Sequence, residues 1–280
     1  MMDNRSIIQT GLKANWRQFA LLVLVNAFVG AMIGLERAVL PGLGKNVFGL
    51  DANTAILSFI MAFGLTKAIS NYSVAKLTRR FSRKQVLMAG WWAALPVPFL
   101  LMYAESWSWV IAANILLGVN QGLAWSSTVI MKIDIVGHKN RGLAMGINEF
   151  GGYLSVGLAS YLASSLAANY GYAYFPFVPG LFFAAAGLLV TAFFIKDTTH
   201  FVHAESLTSK TALLKNVWKE CSWQHKNIGS VTLNGLVNNM NDAVVWGLLP
   251  VLLLQRDFTI TQIGVIAGIY PVVWGVMQLF

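Results

Sequence analysis

Long apolar runs separated by short polar stretches organise this chain. Eight runs, over residues 19–43, 52–74, 85–103, 107–131, 141–168, 172–195, 228–254 and 262–280, reach or approach the length needed to cross a bilayer. A helix needs about 20 apolar residues to span a hydrocarbon core of roughly 30 Å. None of the runs alternates with period two, which excludes the strands of a membrane barrel. The pattern predicts eight transmembrane helices and an all-α membrane protein. The longest polar stretch lies between the sixth and seventh runs. There Leu207, Leu213, Leu214, Val217, Trp218 and Cys221 recur among lysines at near-helical spacing, which predicts an amphipathic helix lying on the membrane surface. The chain therefore divides into a six-span bundle (1–196), a connection (197–226) and two further spans (227–280).

Composition agrees with lipid as the solvent. Hydrophobic residues make up 56% of the chain and charged residues only 11%, where a soluble domain has about 25% charged. Mean hydropathy is +0.61. The net charge of +9 is explained by where the basic residues fall. Sixteen of the 20 lysines and arginines lie at the N-terminus (Arg5, Lys13, Arg17) or in the connections after spans two, four and six, with Lys132 assigned to the second of these. Only Lys45 and Arg256 lie on the other side, and Arg37 and Lys67 fall inside spans. That asymmetry puts the N-terminus in the cytoplasm of a multi-pass protein of the plasma or inner membrane. It also reads the basic charge as topology, not as nucleic-acid binding. The single cysteine, Cys221, permits no intrachain disulfide.

Internal symmetry supports the division. Spans three and six are the only ones of the first six without an ionisable residue, as expected of two three-helix repeats whose third members face lipid. Val25-Asn26 and Pro41 of span one are echoed by Val237-Asn238 and Pro250 of span seven.

The connection after span two reads Ala75-Lys76-Leu77-Thr78-Arg79-Arg80-Phe81-Ser82-Arg83-Lys84. It resembles the G-x-L-A-D-R-x-G-R-K loop of the major facilitator superfamily, matching at Leu77, Arg80, Arg83 and Lys84. It departs at Ala75 and Ser82, where the family has glycine, and at Arg79, where the family has aspartate. Arg141-Gly142-Leu143-Ala144-Met145-Gly146, opening span five, is similar too. The resemblance implies two six-helix bundles around a central cavity, of which this chain would hold the N-terminal bundle and the first two helices of the C-terminal one. It implies a cytoplasmic gating loop of Arg79, Arg80, Arg83, Lys84, Asp134 and Arg141, with Asp134 the acid nearest to replacing the missing aspartate. It further implies that spans one, four and seven line the cavity. Asn114 stands where drug antiporters of the family carry an arginine, and span five lacks their glycine-proline signature, which argues against multidrug efflux.

A charged side chain in the hydrocarbon costs about 2.5–3.5 kcal/mol on insertion scales, so buried charges are candidates for function. They are Glu36, Arg37, Lys67, Glu149 and Asp242. At 1.5 Å per residue, Glu36 and Arg37 lie roughly 25 Å above the start of span one, Lys67 roughly 20 Å below the outer start of span two, and Glu149 roughly 12 Å into span five. Those depths permit a Lys67–Glu149 pair, either a fixed structural bridge or part of a solute site, and disfavour Lys67–Glu36. Glu36 is a proton-coupling candidate by resemblance to sugar symporters, or else snorkels with Arg37. Asn234, Asn238, Asn241 and Asp242 form one stripe on span seven, and Asn114, Gly118, Gln121 and Trp125 another on span four. Each stripe either lines a cavity or bonds a neighbouring helix. Gly118, Gly122, Gly151 and Gly152 read as close-packing sites. Neither a metal-ligand cluster nor a phosphate-binding loop is legible, and no cofactor is expected.

The expectation is a monomeric secondary transporter, not an enzyme, that moves a small polar or anionic solute by alternating access with protons as coupling ion. Its other partner is membrane lipid. A drug or metabolite efflux permease, or a non-transporting sensor on the same fold, is the alternative.

Overall fold

A computed structural model describes residues 9–208 and 216–280. Arg5, Lys210, Leu213, Leu214 and Lys215, which enter the basic count or the expected surface helix, lie outside the described residues. Around that gap the connection holds short helices at Thr199–Thr208 and Val217–Lys219. Among the described residues the structure is helical, with no strand.

Helices occupy all eight of the expected spans, with boundaries set by local chemistry. Span one is Trp16–Arg37 continued by Leu40–Asn46, and the break falls where Pro41 removes a backbone donor. Span two is a 28-residue helix, Asn53–Arg80. Span three starts at Arg83 on a capping box: Ser82 Oγ accepts from the Gln85 amide at 3.3 Å and Gln85 Oε1 accepts from the Ser82 amide at 2.9 Å. Ser82 thus gives span three its N-cap at the position where the family loop has glycine. Pro96 divides span three into Arg83–Ala94 and Pro96–Met102. Span four runs as Trp107–Asn120, a π-helical turn Gln121–Trp125, and Ser126–Val136, ending at Gly137 with φ +73°. Span five is Arg141–Tyr170 and span six Val178–Phe193. Span seven, Lys226–Gln255, carries a second π-helical turn at Val244–Leu248. Span eight, Ile260–Met277, opens on a second capping box from Thr259 and Gln262.

Two differences from the sequence reading matter. Lys132 is not in the connection after span four but inside the span, 1% exposed. Span four continues past it to Val136, and Lys132 Nζ reaches the Leu22 carbonyl of span one at 3.2 Å. In addition, among the described residues only six helices are long and apolar enough by composition to cross a membrane: spans one, two, three, six, seven and eight. Spans four and five fall short although their helices are long enough, because they hold amides, serines and an acid.

Glycines set the closest helix contacts. A Cβ at Gly30 of span one would strike the Gly152 carbonyl of span five, and one at Gly118 or Gly122 of span four would strike span two around Phe63–Asn71. Span eight lies along span five in the same manner, with Gly157 and Gly268 facing each other's carbonyls. The last two spans are thereby seated on the six-span group. The basic end of the molecule carries the turns after spans two, four and six, and the far end carries the others.

Candidate functional site

A cavity of two adjoining lobes lies at mid-span between the first six helices and span seven. One lobe, about 330 Å³, is lined by groups of spans one, two and seven, including Arg37, Phe63, Lys67, Asp242 and Trp246. The other, about 220 Å³, adds Trp125, Glu149, Tyr153 and Asn238. Lys67, Asn71, Asn239 and Trp246 belong to both. Lys67 stands in the middle of the 28-residue span two, because that helix extends to Arg80.

Arg37 closes one side of the larger lobe. Its guanidinium carbon sits 4.4 Å from the Phe63 ring centroid, 5.7 Å from that of Trp246 and 5.9 Å from that of Phe59. All three of its nitrogens are buried and without a hydrogen-bond partner. Lys67 lies 5.8 Å from the Phe63 ring. Among the described residues it forms no hydrogen bond and no ion pair within 4 Å. Asp242 lines the same lobe and Glu149 the adjoining one, and neither forms an ion pair with it, so the depth-matched Lys67–Glu149 pair is not closed into a bridge.

Asp242 is held by phenols. Tyr270 Oη of span eight donates to Oδ1 at 2.8 Å and Tyr153 Oη of span five donates to Oδ2 at 3.2 Å. Asn241 Nδ2 in turn donates to Tyr270 Oη at 2.8 Å. Three spans meet on one carboxylate, and aromatic rings of Trp125, Trp246 and Trp274 pack around Tyr153. Glu149 accepts from Asn148 Nδ2 at 2.7 Å, and Lys132 is the cation next to it at the basic side. Asn26 bridges the same region, donating to the Asn148 carbonyl at 3.1 Å and accepting from Thr128 Oγ1 at 3.0 Å.

Several residues singled out from sequence do not reach the cavity. Glu36 does not line it but lies among Leu35 of span one, Val97 and Pro98 of span three and Phe177 of the turn into span six, with both oxygens without a hydrogen bond. Asn114 donates to the Val110 carbonyl of its own helix, and Gln121 Nε2 donates to the Val29 carbonyl at 2.8 Å, which ties span four to span one. Asn234 and Asn241 are exposed, so the span-seven stripe splits: Asn238 and Asp242 face the cavity and Asn241 reaches it only through Tyr270. Sequence reasoning missed Asn71, Lys132, Tyr153, Asn239, Trp246 and Tyr270. The tyrosines and Trp246 sit in apolar runs, where an aromatic ring reads as packing. Asn239 adjoins the stripe residue Asn238 and was available to the same argument.

At the basic end, Arg83 Nε lies 2.6 Å from Asp134 Oδ2, which also accepts from Thr198 Oγ1 at 2.7 Å. The Lys84 amide donates to Asp197 Oδ2 at 3.0 Å and Lys84 Nζ to the Ala192 carbonyl at 2.7 Å. Partial burial pushes the Asp197 carboxyl up, but hydrogen bonds from Thr199, the Lys84 amide and Ser82 outweigh it and hold it at about 2. This cluster ties spans three, four and six together. Arg79 and Arg80 stand exposed at the end of span two, and Arg141 opens span five. A cleft of about 680 Å³ beside Lys13, Arg17, Lys196 and His200 opens at this end too, away from the buried charges. Among the described residues no group of three or more histidine, cysteine or acidic side chains is placed to hold a metal ion.

Compared with known proteins, residues 19–280 match the family model described as Major Facilitator Superfamily. A search of curated proteins finds no match.

Proposed function

The chain belongs to the Major Facilitator Superfamily, a family of membrane transporters, and on that premise we propose that it carries a small polar solute across the membrane by alternating access, coupled to protons. The observation that carries this reading is the mid-span cavity, where Arg37, Lys67, Glu149 and Asp242 from four spans converge with three asparagines. Polar groups at that depth are costly unless they serve a wet or solute-filled space. The site lies between the six-span group and span seven, where rocking of one against the other would open it to either side. At the far end the two groups are in contact: Gln255 Nε2 donates to Asn53 Oδ1 at 3.2 Å, and Leu253 and Ile263 pack on Ala38. With the far end in contact, a solute would enter from the basic end, which the positive-inside asymmetry assigns to the cytoplasm. Glu149 and Asp242 face the cavity and are the acids suited to proton coupling, whereas Glu36 faces helices of its own bundle.

The test is solute flux in proteoliposomes containing the full-length transporter, with an imposed pH gradient and protein-free vesicles as control. Accumulation driven by the gradient and abolished by a protonophore is expected. Flux indifferent to the gradient would remove proton coupling, and no flux from a broad panel of polar solutes would remove the transport reading.

A further inference from the structure

We propose that the larger lobe is a carboxylate site, in which Arg37 grips both oxygens of a small organic acid and Lys67 adds a second positive contact. The inference rests on the transport reading and names the class of solute. Its first support is an imbalance in hydrogen bonding. Every nitrogen of the Arg37 guanidinium is buried and unpartnered, and buried polar groups in native proteins almost always find partners. A buried guanidinium is too costly to leave so unless something else supplies the acceptors. Neither acid close to it does: Glu36, next in the chain, makes no hydrogen bond to it although both its oxygens are unpartnered. Asp242 has both oxygens engaged by Tyr153 and Tyr270, and no ion pair joins it to Arg37 or Lys67. Two cationic groups therefore line one lobe with their hydrogen-bonding capacity unspent, while the facing acid has spent its own.

The second support is geometry. The guanidinium carbon lies over the Phe63 ring at 4.4 Å, with the Trp246 and Phe59 rings close by, none of which supplies an oxygen acceptor. The guanidinium is a planar fork of N–H donors that matches the two oxygens of a carboxylate. A halide, being a point charge, would gain nothing from a fork. Lys67 Nζ is beside the same Phe63 ring, so a bound anion would lie between the two cations. The rest of the lobe is mixed: Ile60, Ala68, Leu236 and Trp246 are apolar, and Asn71 and Asn239 offer amides. At about 30 Å³ per water, 330 Å³ holds about eleven waters, room for an organic acid of a few carbons.

The test is a binding measurement on the full-length transporter in detergent, so that it is separate from flux. Acetate, lactate, succinate and benzoate are compared with acetamide, lactamide, succinamide and benzamide, and with chloride at matched ionic strength, by the rise in melting temperature. At least one carboxylate should stabilise the protein, with its amide and chloride ineffective. Arg37→Lys keeps the charge but removes the fork, and should weaken that carboxylate about tenfold or more, the equivalent of one charged hydrogen bond. Lys67→Gln should weaken it too, and provides the reading if Arg37→Lys does not fold. No stabilisation by any of the four acids, equal stabilisation by acid and amide or by chloride, or unchanged affinity in the variants would each overturn the proposal. Flux of uncharged polar solutes with no carboxylate binding would sink this assignment and leave the transport reading standing. Carboxylate binding without flux of any solute would do the reverse.

Discussion

The tyrosine-held carboxylate is the feature whose energetics can be worked most directly. Asp242 is 6% exposed and accepts from Tyr270 at 2.8 Å and from Tyr153 at 3.2 Å. In soluble proteins a hydrogen bond to a charged group contributes about 1.5–3 kcal/mol. Between membrane helices, mutant cycles average about 0.6 kcal/mol with a maximum of about 1.7, since unfolded helices in lipid find other partners. The membrane figures are the relevant ones here. The shorter Tyr270 bond should fall near their upper limit and the longer Tyr153 bond near their mean. A double-mutant cycle of Tyr270→Phe with Asp242→Ala should therefore give a coupling of about 1.5 kcal/mol, and one of Tyr153→Phe with Asp242→Ala about 0.6 kcal/mol. Phenylalanine retains the ring contacts of Tyr153 with Trp125, Trp246 and Trp274, so the cycle isolates the hydroxyl. Equilibrium unfolding in mixed detergent micelles reads both. Couplings within about 0.3–0.5 kcal/mol of zero, the usual error of additivity, would refute the claim that these phenols hold the acid.

Three further outcomes follow from the same structure. Cysteine placed at Ser82 in intact cells should resist a membrane-impermeant thiol reagent and cysteine at Glu105 should react, since the two lie at opposite ends; labelling of the first from outside would reverse the proposed orientation. Gly157→Leu should lower the yield of folded protein or separate spans five and eight, because even a Cβ there meets Val272 and the Gly268 carbonyl, and overpacking typically costs about 1–3 kcal/mol; an unchanged melting temperature would contradict the close approach. Asp197, held at about 2 against a usual value of about 3.9, contributes stability that is complete above about pH 4 and is lost as pH falls through about 2. The stability gap between wild type and Asp197→Asn, measured by thermal unfolding across that window, should close as acid is added, and a gap independent of pH would remove the hydrogen-bonded carboxylate as its source.

The helices were legible in sequence because the bilayer demands apolar length, and their ends shifted only where local chemistry intervened. The capping boxes at Ser82 and Thr259 moved spans three and eight to earlier starts. Lys132 is the instructive failure. A lysine near the end of an apolar run reads as a loop charge, yet here the helix continues to Gly137 and the amine is absorbed by the Leu22 carbonyl and by Glu149 nearby. Nothing in the local sequence announces a carbonyl more than a hundred residues away. Spans three and six, expected from their lack of charge to face lipid, do present large apolar groups such as Trp92, Phe99, Phe182 and Phe193 outward.

The charges of the site were legible as residues but not as partners. Glu36 and Arg37 are adjacent in sequence, and successive positions on a helix point about 100° apart at 3.6 residues per turn, so one faces spans three and six while the other faces the cavity. Depth along a helix axis says nothing about that rotation, which is why matched depths for Lys67 and Glu149 did not make them a closed pair. The six buried charges balance in number, with Arg37, Lys67 and Lys132 against Glu36, Glu149 and Asp242. Yet none of the six forms an ion pair within 4 Å. Tight buried pairs would lock the bundle, because separating them leaves each charge alone in a medium that penalises it. Charges balanced in number but held apart by phenols, amides and aromatic faces can exchange partners at lower cost as helices move. On the alternating-access proposal, that arrangement keeps the formal charges of the interior balanced without fixing either conformation.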